Sequence, residues 1–225
     1  MANESARRFG MLVDAGTCAG CFTCVYSCKL QNATPTGTFW CKLSKSEKGT
    51  YPDAKMIVLP HGCMHCQDAP CVNNCPTGAS AHNKDGLVMV DYDKCIGCET
   101  CIKSCPYGAR TLNGSTSAPY YAGAGPTPFE QARAGEHHEN VVDKCIMCYG
   151  RTEEGNGDAV PSCVASCPAQ CRWYGDLNDP ESEISKKIAE MGAKPLFESL
   201  GTQPSIYYAG IDDADWEGIV TVAEG

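Results

Sequence analysis

No run of about 18 apolar residues, the length that a bilayer demands, occurs in this chain of 225 residues. The longest apolar stretches, Met56 to Leu59 and Leu87 to Val90, are strand-sized, so no membrane span of its own is expected. Runs of lysine and arginine are also missing. With 18 basic against 27 acidic residues the formal charge is −9, and a nucleic-acid face is not expected. No phosphate loop, dinucleotide glycine motif or Ser/His/Asp set stands out, so no catalytic residues are assigned. Arg7-Arg8-Phe9 resembles a twin-arginine export signal superficially, but no apolar segment follows before Cys18. The stretch reads instead as a tail entering a strand, Phe9 to Val13.

Cysteine is abundant: 18 residues, a fraction otherwise found in disulfide scaffolds. Disulfide frameworks leave spacing loosely constrained, whereas 16 of these 18 fall into four groups of four, three of them ending in Cys-Pro. The densest stretch reads Cys63-x2-Cys66-x4-Cys71-x3-Cys75-Pro76, then Cys95-x2-Cys98-x2-Cys101-x3-Cys105-Pro106. Three thiolates on a tight turn suit three irons of one 4Fe-4S cubane. The displaced fourth, followed by proline, ligates the other cluster in two-cluster ferredoxins. Between the motifs, Asp85-Gly86 before Leu87 to Val90 is a two-residue hairpin signal that folds the second motif onto the first. Cys75-Pro76-Thr77-Gly78-Ala79 returns as Cys105-Pro106-Tyr107-Gly108-Ala109, a repeat that resembles bacterial ferredoxins.

The first group, Cys18-x2-Cys21-x2-Cys24-x3-Cys28, has the same spacing but carries Lys29 in place of proline. Phe22, Val25 and Tyr26 are expected to shield its cluster from water. The fourth is Cys145-x2-Cys148, a 14-residue gap, then Cys163-x3-Cys167-Pro168. The polar loop Glu153 to Asp158 in that gap can swing the third cysteine back to the first two. Alone, this group also fits a four-cysteine zinc knot, although its trailing proline and the unpaired Cys28 favour a cubane. Cys41 reads as a buried apolar cysteine, and Cys171 has no predicted role.

Other stretches are less specific. Lys42, Lys45 and Lys48 read as a solvated loop, and Met56 to Leu59 as a strand. His61, His65 and His82 flank saturated cysteine sets, so a hydrogen bond to a cluster sulfur is expected of them. The insertion from Thr111 to Asn140, with Tyr120, Tyr121 and Phe129, reads equally as a docking loop or a surface excursion. Asp179 and Pro180 are expected to cap a helix that presents Ile184, Ile188 and Met191 on one face and ends at Gly192. Ile206-Tyr207-Tyr208 reads as a strand, and the acidic stretch Asp212 to Trp216 as a tail that could wrap over a partner. Apolar runs this short predict that metal binding is coupled to folding.

Four groups in this order resemble the four-cluster electron-transfer subunit of the dimethyl sulfoxide reductase family of molybdopterin oxidoreductases. The third ends Cys105-Pro106-Tyr107-Gly108-Ala109-Arg110, and Tyr174-Gly175-Asp176-Leu177-Asn178-Asp179-Pro180 follows the fourth. The resemblance covers residues 9 to 190. It implies an α+β fold of two ferredoxin-like 4Fe-4S modules related by pseudo-symmetry, with long loop insertions and a C-terminal extension. The first module takes residues 1–62 and 141–175, the second 63–110. Residues 111–140 form the insertion loop, and 176–225 a C-terminal helix and docking tail.

The ligand sets carried over by the resemblance are Cys18, Cys21, Cys24 and Cys167; Cys145, Cys148, Cys163 and Cys28; Cys63, Cys66, Cys71 and Cys105; and Cys95, Cys98, Cys101 and Cys75. The resemblance further implies four 4Fe-4S clusters, no catalytic residue, and a molybdopterin-containing (Mo or W) catalytic partner in anaerobic respiration. The other end of the wire is a membrane anchor protein or a soluble donor. A free-standing polyferredoxin and a structural zinc module are the rival readings. Because such subunits can be exported with a signal-bearing partner, localisation is left open.

Overall fold

The computed structural model describes residues 7–152, 159–211 and 215, and the backbone of 220–221. Its elements are short because cysteine loops interrupt the chain every few residues. Strand β1 (Phe9–Asp14) is the centre of the first sheet. It pairs antiparallel with β8 (Arg172–Asp176), Phe9 opposite Asp176, and parallel with β9 (Ile206–Ala209), Met11 opposite Ile206. Strand alternation divides its side chains between two layers. Leu12 packs with Ile184 of helix α7 (Glu183–Met191), while Met11 and Val13 face the cysteine-rich core.

A second sheet joins β2 (Lys42–Lys48), β3 (Lys55–His61) and β10 (Val220–Thr221). The expected lysine loop is therefore a strand, laddered along its length from Lys42 opposite His61 to Lys48 opposite Lys55. The apolar β3 supplies the ladder, and Leu43 and Ser44 are buried, so tertiary pairing overrides the polar local sequence. Two antiparallel pairs complete the sheets: the hairpin β4 (Ser80–His82) with β5 (Val88–Val90), and β6 (Thr111–Leu112) with β7 (Val142–Asp143) across the long segment between them. The β4/β5 pair is the hairpin expected between the two motifs, but its turn is wider than the Asp-Gly pair alone. Asn83 N–H donates to Leu87 O, and the Asn83 side chain accepts from Asp85 and Leu87 N–H.

Helix α7 ends at Gly192 as expected, in a left-handed conformation, but its cap is Ser182. The Ser182 hydroxyl accepts from Ser185 N–H, and Asp179 instead caps a preceding turn through Glu181 N–H. The strand expected at Ile206 to Tyr208 is β9, so part of the C-terminal segment is spent on the chain's own sheet. Of the acidic tail only Asp215 is described, paired with Lys48; Asp212 to Ala214 and Trp216 lie outside the described residues, as does the Glu153 to Asp158 loop.

Candidate metal centres

Each group places its third cysteine on a short helix: Cys24 on α1 (Thr23–Asn32), Cys71 on α2 (Pro70–Asn73), Cys101 on α3 (Thr100–Lys103) and Cys163 on α6 (Ser162–Ala165). The tight turns before them need left-handed backbone. Gly20 and Phe22 flank Cys21 at φ 65° and 61°, and Gly97 and Glu99 flank Cys98 at φ 66° and 58°. At Gly97 a side chain is excluded twice over, because a Cβ would also stand 2.4 Å from the Asn140 carbonyl oxygen.

The displaced fourth cysteines cross between groups. Burial drives the Cys28 thiol well above its usual value, with Cys145, Cys163 and Cys148 adding like charge, and so it stands with the fourth group. Burial likewise pushes Cys66 up to about 12, reinforced by Cys63, Cys71 and Cys105. Cys75 lines one cavity with Cys95, Cys98 and Cys101. Cys18 and Cys24 of the first group are held down to about 6 by thiol donors, Cys171 for the former and Cys41 for the latter. Cys171 also stands 3.5 Å from Cys167, sulfur to sulfur, which brings Cys167 to the first group's side. These groupings are neighbours in series: Cys163 is in electrostatic reach of Cys24, and Cys145 of Cys63. Cys21 and Cys98, the two exposed cysteines, belong to the groupings at the two ends.

The donors suit a cluster better than an ion. Among the described residues no three His, Cys, Asp or Glu side chains close on a point that could hold a single metal ion. Tetrahedral zinc needs four sulfurs at about 2.3 Å from one centre, whereas a cubane spreads its ligands over four irons. Trp40 supplies a second fit. Its buried indole N–H has no partner among the described residues, and it lines a cavity with Cys28, Cys145, Cys148 and Cys163. Such a donor matches the sulfur acceptors of a cluster.

A family profile described as a 4Fe-4S dicluster domain matches residues 54–120, the stretch that holds the second and third groups. The chain is 37% identical over 220 residues to the B subunit of sulfite dehydrogenase from Allochromatium vinosum, covering 89% of this chain and 82% of that one. It is 34% identical over 226 residues to the arsenate respiratory reductase iron-sulfur subunit ArrB of Shewanella sp., covering 89% and 95%. The chain belongs to the iron-sulfur B subunits of molybdopterin oxidoreductases. Protein NrfC of Escherichia coli is 34% identical over 210 residues, covering 91% and 82%. This iron-sulfur subunit transfers electrons through 4Fe-4S clusters and is not itself the catalytic subunit.

Several side chains have partners that cysteine spacing alone does not give. Through one ring nitrogen each, the histidines bond to oxygen or backbone: His61 Nε2 to Ser44 Oγ at 2.8 Å, His82 Nε2 to the Cys66 carbonyl at 2.8 Å, and His65 Nδ1 accepting from Val88 N–H at 3.2 Å, which leaves His65 Nε2 buried and open to the cluster sulfur expected of it. A contact to a cysteine sulfur comes from Arg110, whose Nη2 donates to Cys71 Sγ at 3.1 Å. Of the expected cover Val25 is buried, but Tyr26 is exposed. Cys41 is buried as expected. It is also a thiol donor, and so is Cys171, which had no assigned role. Lys144 and Arg172 are buried as well. Arg110 and Arg172 were visible as a pattern, Cys-Pro-x3-Arg, in Cys105 to Arg110 and Cys167 to Arg172.

Proposed function

We propose that this iron-sulfur subunit holds four 4Fe-4S clusters on the cross-paired sets Cys18/Cys21/Cys24/Cys167, Cys145/Cys148/Cys163/Cys28, Cys63/Cys66/Cys71/Cys105 and Cys95/Cys98/Cys101/Cys75. Each bound cluster supplies a one-electron store whose potential depends on its charge, hydrogen bonds and exposure. The observation that carries the reading is the crossing of Cys28, Cys75 and Cys105 into the other group of each pair. Chain residues do the rest: burial keeps water from Cys28, Cys148 and Cys163, and Arg110 orients Cys71.

The two ferredoxin-like modules, 1–62 with 141–175 and 63–110, are related by pseudo-symmetry in this reading. Repeated backbone around Cys21 and Cys98, and the Cys-Pro-x3-Arg ending in one group of each module, support it. Residues 111–140 are the insertion and 176–225 the C-terminal extension. By likeness to subunits of sulfite dehydrogenase and arsenate reductase, the partner is a molybdopterin catalytic subunit, and the family resemblance implies that it docks at the Cys21 end. A membrane-anchored or soluble redox partner then faces the Cys98 end. Anaerobic analysis of the purified protein is expected to give about 16 iron and about 16 acid-labile sulfide per chain, without zinc. Half that iron, or zinc bound at the Cys145 set, would refute the assignment.

A further inference from the structure

Among the described residues three lysine or arginine side chains are buried in this acidic chain: Arg110, Lys144 and Arg172. Burying a cation without a counter-charge is strongly unfavourable, yet among the described residues none of the three pairs with a carboxylate. Their counter-charges are cysteines, which in each case include cysteines of two different sets. Arg172 donates to Cys41 Sγ at 3.9 Å, lines one cavity with Cys28, Cys145, Cys148 and Cys163 of the fourth group's set, and after Cys41 faces Cys163 of that set and Cys24 of the first. Lys144 faces Cys63 and Cys71 on one side and Cys145 on the other, and its ammonium donates to the Val88 and Cys145 carbonyls. Arg110 donates to Cys71 Sγ and to Ser80 Oγ at 2.8 Å, and reaches Cys101 of the next set. One cation thus stands at every junction in the series.

This placement is not a by-product of local sequence. Asp143-Lys144-Cys145-Ile146-x-Cys148 has a twin in Asp93-Lys94-Cys95-Ile96-x-Cys98. Lys94 is solvent-exposed and paired with Asp91, while Lys144 is among the most completely buried side chains. Only the copy at a junction is buried. The two arginines share one place instead, five residues after the last cysteine of their group.

We infer that Arg172, Lys144 and Arg110 set reduction potentials, each raising the potentials of the two clusters it stands between. The inference rests on the ligand sets proposed above. Reduction adds one electron, and so one negative charge, to a set that already carries thiolate charge. A fixed cation in a low-dielectric interior favours that added charge. Because each cation is shared, one substitution must move two midpoints, and Arg110 and Arg172 must move different pairs.

The test is an anaerobic redox titration, followed by electron paramagnetic resonance, of the purified complex carrying Arg110→Gln, Arg172→Gln, Arg110→Lys or Arg172→Lys. Iron and sulfide are assayed first. With iron complete, Arg110→Gln is expected to lower the reduced-to-oxidised ratio at fixed poise at least tenfold for two clusters, about 59 mV in midpoint for a one-electron couple. Arg172→Gln is expected to do so for the other two, and the lysine variants to stay near the unmodified midpoints. Unmoved midpoints, or the same pair moved by both glutamine variants, would overturn the inference. If the glutamine variants lose iron, the lysine variants decide. Full iron and unmodified midpoints support a charge role, and iron loss like that of glutamine overturns it. Incomplete iron in the unmodified complex would overturn the ligand reading instead.

Discussion

Asp143→Asn is expected to destabilise the protein to a degree that depends on pH. The Asp143 carboxylate is fully buried and accepts from Asn113 Nδ2 at 2.7 Å, His137 Nδ1 at 2.7 Å and the Tyr92 hydroxyl. His137 Nε2 stands 2.7 Å from the Asn32 carbonyl. Both ring nitrogens thus face acceptors, an arrangement that favours the doubly protonated imidazole. Burial opposes that charge, but Asp143 and the Asn32 carbonyl outweigh it and hold the His137 pKa above its usual value. Glu136 acts in the same direction, and the Trp40 ring packs edge-on against the imidazole.

Removing one partner of a buried charge pair costs about 3–5 kcal/mol. With an m-value of about 2–3 kcal/mol/M in urea, the midpoint should fall by about 1–2.5 M. A raised folded pKa adds stability that is complete below the unfolded value of about 6.5 and is lost as pH rises through the folded one. The gap between the unmodified and Asp143→Asn proteins should therefore be widest near about pH 6 and shrink above it. Anaerobic urea titration, read by loss of cluster absorbance at pH values on both sides of that window, measures this. A fall below about 0.3 M, or the same pH slope in both proteins, would refute the charged-pair reasoning.

Two further outcomes test the ligand reading. Cys41→Ser and Cys171→Ser should each retain about 16 iron per chain, since both residues donate to thiolates and a hydroxyl can donate in the same place. Loss of about four irons in Cys171→Ser would transfer a ligand role from Cys167 to its neighbour. Cys98→Ser in an assembled complex should stop turnover with the physiological partner yet spare turnover with a small dye that reaches the catalytic subunit directly. Full activity with the physiological partner would reverse or relocate the outer end of the wire.

The cysteine turns were legible because cysteine spacing is a local signal. Strand β1, strand β3 and the hairpin between the two motifs were legible for the same reason, as apolar runs beside turn residues. Strand β2 was not, because Lys42 to Lys48 is polar apart from Leu43 and becomes a strand only against β3. Ser182 outcompetes Asp179 as a cap because the intervening turn consumes the Asp179 carboxylate. The buried cations were hidden by a general expectation: lysine and arginine are rarely buried unless paired. Their partners here come from segments far apart in the chain, Cys71 for Arg110 and Cys24 for Arg172, so burial follows from the fold and not from neighbouring sequence.

Lys29, the one departure from Cys-Pro, has a consequence that reaches the insertion. Where proline follows the last cysteine, the preceding helix spans 4 residues, as α2, α3 and α6 do. Without it α1 runs for 10 residues, to Asn32, since no ring blocks the next turn. That extra length delivers Asn32 Nδ2 to the Cys28 carbonyl and within 3.5 Å of Cys28 Sγ. It also delivers the Lys29 ammonium to the carbonyls of Thr34, Pro35 and Thr38, and over the rings of Phe39 and Tyr120. Tyr120 in turn donates to Thr34 O at 2.7 Å, and Arg133 to Gln31 O at 3.1 Å. The insertion is thereby clamped onto the end of α1, with its own short helix α4 (Pro128–Ala132) capped by Thr127 and Glu130. Tyr120 is spent on this brace, and Tyr121 stays exposed. The missing proline, a mild anomaly in the motif, is what lets the first cysteine helix grow long enough to hold the insertion in place.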